Sequence, residues 1–198
     1  MLTAPPLPDG STDVLARQLA RAAASRNLPG GLQGQVQPGL VTATVPLHVF
    51  TLGLDQLSVR FAPAVDAIPG SWRILLEVQR EVVATADVDP TAGGPPEFVC
   101  LSAGPLAAGT ARAVLLAESQ LAQTADYVLA ALDVPALGLN LLWLRSPAGP
   151  DRDLYLSLLN CPDAVQQDVP YTLAALAALL PPLARAALAQ EREHPTNG

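Results

Sequence analysis

The clearest periodicity in the chain begins at Val114. Val114, Ala117, Leu121, Ala125, Val128 and Leu132 step by three or four and keep to one apolar stripe. That spacing predicts a long middle helix, capped by Thr110, running to Leu132 and closed by Pro135. Glu118 is the one poor fit to the stripe, and Leu116 with Tyr127 forms a second apolar flank. A helix apolar on two sides is expected to be covered twice, by a sheet and by a second element or subunit.

Two further helices are expected at the ends. Ser11 can cap the first, with Asp13 in its opening turn, Leu15, Leu19, Ala22 and Ala23 on one side, and Arg17 with Arg21 on the other. It should stop near Asn27, ahead of Pro29-Gly30-Gly31. Asp168 and Pro170 mark the start of the last helix, whose stripe is Leu173, Leu176 and Leu180. Pro181-Pro182 should kink or restart it before it ends near Arg192.

Between the helices the period falls to two. Leu40 to Leu52 is rich in β-branched residues, and its Pro46 calls for an edge strand, a bulge or a break. Gln56 to Phe61 alternates Leu57, Val59 and Phe61 with Ser58 and Arg60, and reads as a short strand. Trp72 to Val88 reads as one long strand or as a hairpin bending near Gln79 to Glu81, with a helix over Ile74 to Val83 left open. A strand at Phe98 to Leu101 follows, and Leu137 to Arg145 pairs with Leu154 to Asn160 across Ser146 to Asp151. The expected fold is α+β, an antiparallel sheet flanked by an N-terminal helix, a long middle helix and a C-terminal helix. One domain should span 11–192, with a flexible lead at 1–10 and a disordered tail at 193–198. No repeat stands out in the sequence.

Composition narrows the function. Half of the 198 residues are apolar and 15% are charged, which favours a packed core over disorder. The net charge of −7 works against nucleic acid and against anionic membranes, so neither is an expected partner. All eleven basic residues are Arg; with no Lys there is no Schiff-base or phosphate-loop lysine. Cys100 and Cys161 form no C-x-x-C pair and read as free thiols of a cytoplasmic protein. Met1 to Gly10 lacks the charge and apolar run of a signal peptide. Tyr171 to Ala189 carries Pro181-Pro182 and Arg185 and is not expected to span a membrane.

Candidate chemistry is sparse. There is no G-x-S-x-G, His194 lies in the tail, and His48 sits in a strand opposite Leu47 and Val49. Asp87 and Asp89 share a face near Glu97, an arrangement more typical of a solvated turn than of a metal site. Asp151 and Asp153 read as turn chemistry, and Trp72 and Trp143 as sheet residues. No metal or cofactor is expected. The order helix, strands, long helix over Thr110 to Leu132, hairpin over Leu137 to Asn160, helix, together with the acidic charge, resembles type III secretion chaperones and the YbjN-like proteins. That resemblance implies a homodimer that binds protein segments without catalysis, through an exposed helix or sheet edge. Val114, Leu121, Val128, Leu176 and Leu180 are then the interface residues. The alternative is a small-ligand or enzymatic pocket between sheet and helices, drawing on His48, Arg60, Trp72, Asp87 and Asp89.

Overall fold

The computed structural model describes residues 1–25, 41–90, 94–123, 125–159 and 162–193. The predicted helix stop at Asn27 to Gly31, together with Asn160, Cys161 and His194, lies outside the described residues.

The class is α+β, as expected. A first meander of β2 (Val41–Thr51), β3 (Ile68–Val78), β4 (Glu81–Asp89) and β5 (Glu97–Ala103) leads into helix α4 (Pro105–Leu116). A second, of β6 (Tyr127–Val134), β7 (Leu139–Arg145), β8 (Leu154–Ser157) and β9 (Pro170–Thr172), leads into helix α5 (Leu173–Glu193). They join in one sheet of order β5-β4-β3-β2-β6-β7-β8-β9. β2 and β6 are parallel, His48 opposite Ala130, and the other neighbours on this path are antiparallel. With parallel strands at the centre and meanders running outward, the halves are related by a half-turn about an axis along the strands. Such a rotation exchanges the faces. α4 accordingly packs on Leu75, Leu142, Leu144 and Leu156, while α5 packs on the opposite face over Trp143 and Tyr155. The topology therefore repeats where the sequence does not.

Helix α1 (Ser11–Ala24) covers β3 to β5 on the α5 face, through Leu15, Leu19, Ala22 and Ala23 as predicted. Its start differs from expectation. Gly10 takes a left-handed φ of 81°, and the Ser11 hydroxyl donates to the Pro8 carbonyl rather than capping the helix. Residues 1–10, expected as a loose lead, include β1 (Leu2–Thr3), which lies parallel to Tyr127–Val128 of β6. Pro46 explains the opening it fills. A bulge at Val45, with φ 25°, precedes a proline that has no N–H to give β6, so β2 reaches β6 only from His48 onward.

Three element assignments are corrected. The middle helix starts at Gly104-Pro105, with proline in its first turn, and ends in a π-helical turn over Ala117–Leu121. Thr110 is inside it, its hydroxyl donating back to the Leu106 carbonyl. From Tyr127 the chain is a central strand. A strand buried on both faces is apolar almost throughout, so Val128 and Leu132 keep helical spacing by coincidence. Gln56 to Phe61 is largely helix α2 (Leu54–Val59), followed by α3 (Pro63–Asp66). Leu54, Leu57 and Phe61 all enter the core, and that i, i+3, i+7 pattern overrides the alternation. The Thr172 hydroxyl, not Asp168, caps α5, accepting from the Ala175 N–H, and the helix continues through Pro181-Pro182.

The hairpin reading of Trp72 to Val88 holds. Gln79 and Arg80 form its two-residue turn, both at positive φ (52° and 69°), matching the twist of the paired strands.

Candidate functional site

Two surfaces bring recognition chemistry together. At one end of the sheet, β5 presents its outer edge, with which no described strand pairs. Natural edges are usually blunted by charge or proline, yet residues 98 to 103 of β5 carry neither. Phe98, Leu101 and Ala103 point under α1, whereas Val99, at the register shift against β4, is 54% exposed. Above this edge runs a groove of about 400 Å³ between α1 and the start of β5, with Pro96, Glu97 and Phe98 on its strand side. Arg17 and Arg21, four residues apart, line the helix side, and neither meets a carboxylate among the described ion pairs.

The second surface is a row of rings on the α5 face, between the ground covered by α1 and that covered by α2 and α5. His48 and Trp72, opposite each other on β2 and β3, stack with ring centres 4.8 Å apart and planes 4° from parallel. Phe50 adjoins His48 at 4.5 Å and meets Trp143 edge-on at 5.3 Å. The exposed Arg145 guanidinium lies over Phe50 and Trp143, at 5.3 and 4.9 Å. A cleft of about 320 Å³ opens beside it, between Trp143, Arg145, Ala64 of α3 and the β7–β8 loop. Asp153 is buried in its wall and fully engaged, accepting from Trp143 Nε1–H at 2.8 Å and from the Ser146 N–H at 2.7 Å. Burial pushes its carboxyl above the usual range.

Burial also lowers the pKa of His48; a hydrogen bond with the Gly70 backbone opposes this shift and the nearby Arg145 charge adds to it. The imidazole is therefore a neutral ring in the row. The sign for stability follows. The unfolded chain takes up this proton first, so the contribution of His48 is complete above about pH 6.5 and is lost as pH falls through the lower folded value. Urea melts at about pH 7.5 and pH 5 should show a larger acid loss for the native chain than for His48→Gln. Equal losses would mean that the imidazole is not desolvated.

The five predicted pocket residues do not converge. His48 and Trp72 share the row, but Arg60 forms a bidentate pair with Asp66, both bonds 3.0 Å, tying α2 to α3 and holding Asp66 below its ordinary range. Asp89 is exposed at the end of β4. Asp87 lies on the opposite face, where Arg73 grips both its oxygens at 3.0 Å and also reaches Asp133 at 3.1 Å. Asn140 Nδ2 donates to Asp133 at 2.9 Å, completing a polar ladder across the sheet. Burial alone would lower the pKa of Arg73; the Asp87 bonds and both carboxylate charges outweigh it and raise the value. Alternation could show Asp87 and Trp72 in strands, but not that the hairpin turns them to opposite faces.

The predicted interface set is corrected as well. Val114, Leu176 and Leu180 are core residues, Leu121 packs into the cluster under α4, and Val128 lines the cleft from β6. Within the chain, Val114, Leu176 and Leu180 are covered by the sheet and the elements packed on it, with no second copy needed to bury them. Phe50 and Arg145 were missed; their signal was an aromatic and a cation at strand positions facing the same way as His48. Cys100 is half-buried, 3.9 Å from the Ser102 hydroxyl and away from His48. Among the described residues no three His, Cys, Asp or Glu side chains could hold a metal ion. Leu173–Arg192 is long and apolar enough to cross a membrane by length and composition, and Leu176, Leu180 and Ala184 within it are buried in the fold. No protein-family model, no curated protein and no solved structure matches this chain.

Proposed function

We propose that the protein is a non-enzymatic binding module that takes up an extended segment of another protein along β5. The observation that carries this reading is the edge of β5, whose six residues 98 to 103 carry neither charge nor proline, beside the Arg17–Arg21 groove. An added strand satisfies the outward N–H and C=O groups of β5, and side chains of alternate residues set specificity. On the α1 side those side chains meet two guanidinium groups, so the segment suited to this edge alternates β-branched and acidic residues. Edge docking is one of the two modes, an exposed helix or a sheet edge, that the chaperone-like resemblance implies.

A ten-residue peptide alternating valine and glutamate should slow hydrogen exchange at the β5 amides. It should bind about tenfold more tightly than its valine–lysine counterpart, with the preference gone in Arg17→Glu/Arg21→Glu. Val99→Lys, which places a charge on the open edge, should abolish both effects. If neither peptide protects β5, the reading is wrong. If light scattering shows a dimer whose β5 amides are already protected, a second copy occupies the edge instead.

A further inference from the structure

The ring row and its cleft do something the β5 edge does not require. We propose that the cleft beside Arg145 binds a small carboxylate with a compact apolar body, seated against Val128, Ala64, Pro147 and Pro150 with its carboxylate on the Arg145 guanidinium. This site is separate from the β5 edge and stands or falls independently of strand docking.

Three observations converge on that class of ligand. The walls around the opening are largely apolar, from Val128, Ala64, Pro147 and Pro150, while Trp143 lies buried at the base beneath Arg145, which suits a compact apolar body. At about 320 Å³ the cleft lies at the small end of ligand pockets, room for one or two fused rings. Arg145 supplies the charge. Its guanidinium lies over the Phe50 and Trp143 rings, and none of the described ion pairs uses it. A carboxylate fits that fork with two parallel hydrogen bonds. The one acid in the wall, Asp153, is 3% exposed and spends its oxygens on Trp143 and Ser146. It therefore neither competes for Arg145 by direct contact nor offers a cation an open acceptor. His48, neutral in the same row, leaves Arg145 as the charge that selects.

The chain has two tryptophans, Trp72 and Trp143, and both lie in the row, so two indole N–H signals report on the site. In a ¹⁵N-labelled sample, 2-naphthoate should move the Trp143 signal saturably. It should move the Trp72 signal less, because His48 and Phe50 lie between them. The neutral 2-naphthylmethanol should need about tenfold more ligand for the same shift, and acetate should move neither signal. Arg145→Gln should weaken 2-naphthoate about tenfold and leave 2-naphthylmethanol unchanged. The bonded Trp143 N–H in the ligand-free spectrum shows that the variant is folded. The proposal is overturned if 2-naphthoate moves neither indole at about 5 mM, or if the acid and the alcohol bind equally. It is overturned too if Arg145→Gln binds 2-naphthoate as the native chain does. An equal response would identify a hydrophobic slot that reads no charge.

Discussion

Arg73→Met should destabilise the protein by about 3–5 kcal/mol, because it leaves Asp87 and Asp133 facing each other with no cation between them. The Arg73 side chain is 7% exposed and the two carboxylates 13% and 14%, so water can do little to screen the pair that remains. For a chain of this length the midpoint of thermal unfolding should fall by about 6–20 °C. The ladder crosses the parallel β2–β6 junction, joining a carboxylate of one meander to a carboxylate of the other. It therefore acts where the halves of the sheet meet. The triple variant Arg73→Met/Asp87→Leu/Asp133→Leu separates the cost of unpaired charge from the worth of the ladder. Buried ion networks replaced together by apolar groups are often neutral, so this variant should recover most of the loss. Thermal melts of both variants check the argument. A single variant as stable as the native chain would show that the carboxylates find other partners.

Gly109→Ala should also cost about 3 kcal/mol, against the usual direction for glycine in a helix. In an open helix the exchange would gain about 1 kcal/mol from propensity. Here α4 lies so close to the end of β8 that a methyl at Gly109 would overlap the Leu158 carbonyl oxygen and sit 2.9 Å from its carbon. Backbone cannot swing aside as a side chain can, so α4 must lift from the cluster it closes, which includes Ala113, Val114 and Ala117. The neighbouring Ala108 is exposed and provides the control: Ala108→Gly should lose only the propensity difference. Denaturant melts of the two variants give the comparison. A stabilised Gly109→Ala would mean that the helix and β8 stand further apart than described.

The two variants probe different layers of the same design. Arg73 sets how the meanders join, and Gly109 sets how closely the first meander's helix closes over the second meander. Neither touches β5 or the ring row, so binding at those surfaces can be tested in proteins of unaltered core.

Local sequence signals were enough to establish the class of the fold and much of its strand content. β-branched runs gave β2, the alternation of Trp72, Ile74 and Leu76 gave β3, and the Ser146 to Asp151 turn gave the β7–β8 hairpin. These signals are local, fixed by backbone preference and by one buried face. Pro46 likewise announced an irregularity, since a missing N–H has a local consequence wherever the strand lies. Two element readings failed where apolar residues could serve two geometries. Val128 and Leu132 fit a helical stripe as well as a strand buried on both faces, and only pairing with β2 and β7 decided for the strand. Leu57 and Phe61 fit alternation as well as a helix turned to the core, and Leu54 beside α5 decided for the helix. The sites depended on tertiary structure still more. Asp87, Arg73 and Asp133 are separate in sequence and meet because β4, β3, β2 and β6 run side by side, while Phe50, Trp143 and Arg145 meet across the parallel junction. Hydrophobic periodicity records which side of an element is buried; it holds no record of which other element does the burying.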